Sequence, residues 1–162
     1  MKSFPQFKQI AFVVEDLDEA VRSFHANFGI GPWRAWTLGP HNLRDMVYAG
    51  APAEFTFRHA LAWQNEQVQF ELVQPLTGPS IFADHLKRHG PGLHHLGTYV
   101  ADHAAAVRAA LGDGYEPLQS ARGFGAEGDG AFAYFTAPGV PTVVELIDAP
   151  RVRIPPEFEY PA

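Results

Sequence analysis

The chain contains no cysteine, which removes disulfides, thiolate metal sites and cysteine nucleophiles together. Any metal would have to be held by imidazole, carboxylate or amide oxygen. Long apolar runs are missing too. No stretch approaches the ~20 residues of a membrane span, and the opening Met1-Lys2-Ser3-Phe4-Pro5 lacks the apolar core of a secretory signal. A cytoplasmic location with no membrane partner is the expectation. Positive charge is scarce, with 12 Lys and Arg against 18 Asp and Glu and a net charge of −6. The basic residues form no stripe, so no nucleic acid partner is expected. Apolar side chains are plentiful by contrast: 46% of residues are hydrophobic, with 13 Phe, 5 Tyr and 3 Trp. That composition buries a core and excludes a disordered chain. A length of 162 residues suits one ordinary domain, or two small modules sharing a core.

The two halves of the chain repeat. With residues 9–22 set against 95–108, a constant offset of 86, Val14 falls on Val100, Asp16 on Asp102, Ala20 on Ala106, Val21 on Val107 and Arg22 on Arg108. Each segment reads as an apolar strand, an Asp and an alanine-containing helix. Asp16 with Glu19 forms a capping box that fixes the first helix start. The halves also end alike. Phe70-Glu71-Leu72-Val73 parallels Val144-Glu145-Leu146-Ile147 at an offset of 74, so the second half is shorter by 86 − 74 = 12 residues, as loop trimming produces.

The pattern predicts strand 7–14, helix 17–28 and strands 33–38, 54–63 and 67–73 in the first half. The alternation of Phe55, Phe57, His59, Leu61 and Trp63 puts aromatics on one strand face. A helix over 79–89 stops at Gly90-Pro91-Gly92. The second half gives strand 93–100, helix 103–112 and strands 115–120, 131–136 and 142–147. The glycine-rich run 123–130 is expected as a mobile loop. The tail from Pro150, with four prolines, is expected to wrap the surface rather than form a strand. The implied organisation is a first βαβββ module over 6–75, a helical linker over 76–91, a second βαβββ module over 92–148 and a Pro-rich tail over 149–162. The fold class is α+β, because βαβββ written twice cannot be a doubly wound parallel sheet. Each module curls a mixed sheet around one helix. Their open faces form a shared cleft, within one chain or across a homodimer.

Side-chain parity along the strands carries the chemistry. Ile10, Phe12 and Val14 lie on one face of their strand, leaving Gln9, Ala11 and Val13 on the other. Leu96, Thr98 and Val100 oppose His95, Gly97 and Tyr99. Val68, Phe70 and Leu72 oppose Gln69, Glu71 and Val73, while Val144 and Leu146 oppose Val143, Glu145 and Ile147. Each strand therefore sets one strong polar group, Gln9, Glu71, His95 or Glu145, on the face away from its helix. Singly, a strand Glu points to water and a His fills a core. Together, at repeat-equivalent positions, two carboxylates, an imidazole and an amide oxygen make a reasonable shell for one divalent ion. Such a set admits Zn²⁺, Mn²⁺, Co²⁺, Ni²⁺ or Fe²⁺.

Lys8-Gln9-Ile10-Ala11-Phe12-Val13-Val14, Phe70-Glu71-Leu72-Val73-Gln74-Pro75, Gly92-Leu93-His94-His95-Leu96-Gly97 and Val144-Glu145-Leu146 together resemble the vicinal-oxygen-chelate superfamily. That superfamily includes glyoxalase I, methylmalonyl-CoA epimerase, extradiol dioxygenases and bleomycin-resistance proteins. The resemblance covers about residues 6–148. It implies paired βαβββ modules, a metal in the cleft, and an isomerase or lyase acting through a metal-stabilised enolate on a small carbonyl or acyl-thioester substrate. Glu71-Leu72-Val73-Gln74-Pro75-Leu76 and Gly92-Leu93-His94-His95 are similar to the epimerase branch, although epimerases carry His where this chain has Gln9. The set Gln, Glu, His, Glu is similar to that of glutathione-dependent glyoxalase I (lactoylglutathione lyase) of the animal type. The resemblance makes Glu145 the catalytic base, with Glu71 a second carboxylate in two-base schemes. Ring-cleaving dioxygenases resemble it less, because their iron takes two His and this chain offers only His95. Sequestering, resistance-type binding proteins normally lack the ligands altogether.

Substrate contacts are sought among Trp33, Trp36, Phe57, Trp63, Phe132 and Tyr134, an apolar lining. Arg58 has the opposite parity to Phe57 and is expected to face solvent. His25, His41, His85, His89 and His103 read as surface residues.

Overall fold

The computed structural model describes residues 4–162, which form three helices and one curled sheet of 11 strands. In chain order these are β1 (Gln9–Val13), α1 (Leu17–Phe28), β2 (Trp33–Leu38), β3 (Arg44–Tyr48), β4 (Ala51–Pro52), β5 (Thr56–Trp63) and β6 (Gln69–Thr77). They continue with α2 (Ile81–His89), β7 (Gly92–Tyr99), α3 (His103–Gly112), β8 (Glu116–Arg122), β9 (Ala131–Thr136), β10 (Val143–Asp148) and β11 (Phe158–Tyr160). Among the described residues no helix is long and apolar enough to cross a membrane.

The repeat is visible in the caps. Asp16 Oδ1 accepts from the Glu19 amide at 2.9 Å, and Asp102 Oδ1 accepts from the Ala105 amide at 2.9 Å. Each carboxylate satisfies an amide that the first helical turn would leave open. Gly29 ends α1 at φ 67, a conformation that suits a residue without Cβ.

The sheet runs β11-β2-β5-β6-β1-β7-β10-β9-β8-β3-β4. At its centre β1 pairs antiparallel with β7. On either side, β1 pairs parallel with β6 and β7 pairs parallel with β10. The block β2-β5-β6-β1 is thus mirrored by β7-β10-β9-β8, and both halves belong to one chain. Helix α1 buries Leu17 and Val21 against Phe12, Phe70 and Leu72 on one outer face. Helix α3 contributes Ala110 to a cluster with Phe135, Val144 and Leu146. The inner face holds a third cluster that includes Val13, Phe57, Val73, Phe82, Phe132 and Tyr134. Burying each such side chain contributes roughly 1.5–3 kcal/mol, so the core on both sides of the sheet fixes its curl.

Three features depart from the expectations. Strands β3 and β4 occupy a stretch read as loop. β3 leaves its own half and pairs with β8, Val47 opposite Ser120 and Tyr48 opposite Gln119, so its stability comes from an edge far away in sequence. The tail is not wholly a surface wrap, because β11 adds to β2 with Phe158 opposite Ala35 and Tyr160 opposite Trp33. Its prolines flank those three residues and leave their amides able to pair. The run 123–130, expected as a mobile loop, is cross-tied. The Gly123 amide donates to Gly130 O and the Gly125 amide to Asp129 O, both at 2.8 Å, while Arg44 donates to Gly128 O and Phe124 is buried.

Candidate metal centre

Register brings the repeat-equivalent residues to one place. Across β1 and β6, Ala11 stands opposite Glu71; across β7 and β10, Gly97 stands opposite Glu145. Gln9 and His95 lie two residues earlier on β1 and β7, so they share the inward faces of these strands. All four are buried, with exposures of 3% for Gln9, 4% for Glu71, 1% for His95 and 4% for Glu145. His95 Nε2 lies 3.1 Å from Glu71 Oε2 and 3.1 Å from Glu145 Oε2, yet it is aligned for a hydrogen bond to neither. One ligand atom from each of Glu71, His95 and Glu145 falls within 4.8 Å of the others, a grouping that could hold a metal ion.

Gln9 completes the lining of the same cleft. Its Nε2 donates to Gln69 Oε1 at 3.0 Å, which leaves Gln9 Oε1 buried without a partner. Gln69 Oε1 also accepts from the Tyr99 hydroxyl at 2.6 Å, so the amide orientation of Gln9 is set from behind. Position 97 has to be glycine for this packing. A Cβ there would meet Gln9 Oε1 at 2.6 Å and Gln9 Cβ at 2.9 Å.

Two histidines act on this group from outside it. His94 Nδ1 and His95 Nδ1 are 2.8 Å apart, which occupies the far side of the His95 ring and leaves Nε2 facing Glu71 and Glu145. His59 Nδ1 is 2.7 Å from Glu71 Oε1. His59 qualifies the expectation that His95 is the chain's one histidine of interest. The period-2 alternation Phe57-His59-Leu61 already placed an imidazole on the aromatic inner face of β5, a signal that pointed to it.

Electrostatics separate the two carboxylates. Burial pushes Glu71 up, but the hydrogen bond with His59 and the nearby His95 imidazole outweigh it and bring its pKa down to about 2. Glu145 goes the other way. Burial raises it, His95 only partly offsets that rise, and the Glu71 charge adds to it. For His95 burial favours the neutral ring, yet Glu145 and Glu71 lift its pKa to about 9. Burial and the nearby carboxylates hold the Tyr134 phenol well above its ordinary value. Carboxylates pushed in opposite directions suit different roles in proton transfer. Buried polar atoms left without partners cost about 1–3 kcal/mol each, and a divalent cation would satisfy Gln9 Oε1, Glu71 Oε2, His95 Nε2 and Glu145 Oε2 together.

Phe57, Phe132 and Tyr134 line the inner cleft, and Trp36 and Trp63 line a chamber outside it. Trp33 does not take part: it is fully buried under α1, its Nε1 donating to Ile30 O at 2.8 Å. Arg58 donates to Asp18 Oδ1 at 3.0 Å on the α1 side, as its parity requires. Phe124 and Arg153 also reach the cleft. Strand parity could not find them, because both arrive from segments outside the regular strands.

A family model described as Glyoxalase/Bleomycin resistance protein/Dioxygenase superfamily matches residues 8–135. No curated protein matches the sequence. Among solved structures, methylmalonyl-CoA epimerase from Mycobacterium tuberculosis is 21% identical over 93% of this chain and 93% of that one, with a TM-score of 0.65. A variant of methylmalonyl-CoA epimerase from Streptomyces coelicolor, in complex with 2-nitronate-propionyl-CoA, is 16% identical over 90% of this chain and 98% of its own, with a TM-score of 0.64. A mutant 4-hydroxymandelate synthase from Streptomyces coelicolor is 20% identical over 93% of this chain and 40% of its own, with a TM-score of 0.64. At these identities the likeness is one of fold.

Proposed function

Because the chain belongs to the glyoxalase/bleomycin resistance protein/dioxygenase superfamily, we propose that it is a metal-dependent isomerase or lyase of the glyoxalase/epimerase type. Its substrate in this reading is a small carbonyl compound or acyl thioester, and Gln9, Glu71, His95 and Glu145 hold one divalent ion. Support comes from four buried polar atoms left without hydrogen-bond partners: those of Gln9, Glu71 and Glu145, which line one cleft, and His95 Nε2, 3.1 Å from both carboxylates. Two carboxylates, an imidazole and an amide oxygen are a donor set that fits such an ion. What the ion supplies when bound is polarisation of a substrate carbonyl, which acidifies the neighbouring C–H.

The chain's own groups divide the remaining work. Glu71 is tethered by His59 at Oε1 and stays ionised, which suits a permanent ligand. Glu145 is not held by His59, which suits a carboxylate that can come free of the ion to accept a proton from substrate carbon and return it, since a bound cation would offset the rise that burial gives in its absence. Tyr134, kept protonated by burial beside Glu145, can donate a hydrogen bond to a developing oxygen charge. Phe57, Phe124 and Phe132 exclude water around these groups, which strengthens each electrostatic contact.

The test is metal content followed by hydrogen exchange. Protein purified without chelator should hold close to one divalent ion per chain, and His95→Ala should lose most of it. In heavy water, metal-loaded protein should exchange the C–H beside the carbonyl of a 2-oxo thiohemiacetal or a 2-substituted acyl thioester. Glutathione dependence would assign the glyoxalase branch, and exchange into acyl-CoA the epimerase branch. Tight binding without exchange would replace the enzyme by a sequestering protein. Oxygen uptake with a catechol would replace it by a ring-cleaving dioxygenase.

A further inference from the structure

The inner cleft is small, about 30 Å³, near the volume of a single water. Beyond it lies a chamber of about 420 Å³ whose lining includes Arg34, Trp36, Trp63, Tyr99 and Arg153. Leu61, Tyr99 and Arg153 line both spaces, so Arg153 stands at the junction. The tail delivers it there. The Trp36 indole donates to Ile154 O at 2.9 Å, the Ala126 amide donates to Val152 O at 2.8 Å, and Arg153 itself bridges to Gly125.

Charge makes this placement informative. Arg34, Arg58, Arg122 and Arg151 each pair with a carboxylate: Glu159, Asp18, Asp45, and both Glu127 and Asp129 respectively. Arg22, Arg44, Arg88, Arg108 and Arg153 have no ion pair among the described residues, and of these Arg153 alone lines the inner cleft. Its guanidinium instead lies over the Trp36 ring, with Cζ 5.3 Å from the centroid, a contact that leaves its N–H donors available. A half-buried cation is thus held, without a direct ion pair, at the mouth of a cleft that contains two glutamates. Arg34 in the same chamber is already neutralised by Glu159, so the chamber offers one free positive charge.

We propose that Arg153 anchors a carboxylate carried by the substrate, and that Trp36, Trp63 and Tyr99 receive the planar body joining that acid to the reacting carbonyl. One free guanidinium matches one monoanionic, planar carboxylate, which it can grip through two parallel N–H bonds. Trp63 and Tyr99, whose rings are near parallel with centroids 6.3 Å apart and an interplanar angle of 25°, give the chamber an aromatic lining suited to a ring. The substrate class is then an aryl or similarly flat carbonyl compound with a remote acid group. This rests on the proposed function only in placing the reacting carbonyl at the inner cleft.

The probes are 4-acetylbenzoate and its methyl ester, which differ by one negative charge. Binding is followed by tryptophan fluorescence, with calorimetry as a check, in chelator-treated and metal-loaded protein alike. The acid should bind roughly tenfold tighter than the ester, as charge-assisted hydrogen bonds allow. Arg153→Gln should abolish that preference, and Arg153→Lys should retain part of it. Equal binding of acid and ester by the wild type, no saturable binding of the acid at millimolar concentration, or a preference that survives Arg153→Gln would overturn the assignment. Should Arg153→Gln fail to fold, an undiminished preference in Arg153→Lys overturns the bidentate grip and a reduced one upholds it. Because the preference in chelator-treated protein is read without metal, it stands or falls separately from metal binding and hydrogen exchange.

Discussion

His59 on β5 and Glu71 on β6 meet at 2.7 Å between Nδ1 and Oε1, diagonally across an antiparallel pair in which His59 faces Val73 and Leu61 faces Glu71. Both side chains are buried, so the bond fixes one carboxylate oxygen and leaves the other, Oε2, directed at His95. His59 is a positioning residue in this arrangement. His59→Ala should weaken divalent-ion binding by roughly 10–100-fold, the usual effect of removing a partner behind a ligand. His59→Gln should restore part of it, because an amide can reproduce the hydrogen bond. Titration with Ni²⁺ or Mn²⁺ measures the effect directly, and equal affinity in wild type and His59→Ala would remove His59 from the site.

The two glutamates should separate on mutation. Glu145→Gln keeps an oxygen that can ligate, as Gln9 does in the proposed set, but it cannot accept a proton. Ion affinity should be largely retained while hydrogen exchange falls roughly 10²–10⁴-fold, the range for a lost general base. Glu71→Gln should cost less in exchange rate and more in ion affinity. If Glu145→Gln exchanges as fast as wild type, Glu71 inherits the role.

Metal-free protein should lose stability as pH rises. His95 has an ordinary value of 6.5 and reaches about 9 in the fold, so its protonation stabilises the folded state. That contribution is complete below about 6.5 and is lost as pH climbs through about 9. Chelator-treated protein should therefore melt at a lower temperature at pH 9 than at pH 6.5. A bound cation replaces the proton, so loaded protein should melt higher than chelated protein, with the widest gap at the alkaline end. Melting curves at several pH values, with His95→Gln as the control that flattens the dependence, check both statements.

Gly97→Ala tests the packing behind Gln9. The added methyl would collide with Gln9 Oε1 and Cβ and with Ile147 Cδ1 at 2.9 Å or less. Overpacking of this kind costs about 1–3 kcal/mol. Denaturant melts should show that loss, together with weaker ion binding as Gln9 is displaced. A further change of Gln9 to Ala in the Gly97→Ala background should recover stability but not ion affinity.

Local spacing determined a good deal here. Strand direction alternates every residue whatever the neighbours are, so the parity of Gln9, Glu71, His95 and Glu145, and of Phe57 and His59, was legible without knowing which strands pair. The cap at Asp16 was legible in the same way, from Glu19 three positions on. The sequence repeat likewise carried the doubled βαβββ pattern. What local spacing could not encode is which sheet edges lie open. β3 crosses to β8, β11 returns to β2, and β1 joins β7 within one chain because those edges offer unpaired backbone donors and acceptors after the two halves have assembled. The penalty for closing such long loops grows only slowly with their length. Arg153, Phe124 and the bond between His59 and Glu71 therefore enter the site only through tertiary pairing, which sets which side chains meet after each strand has fixed where they point.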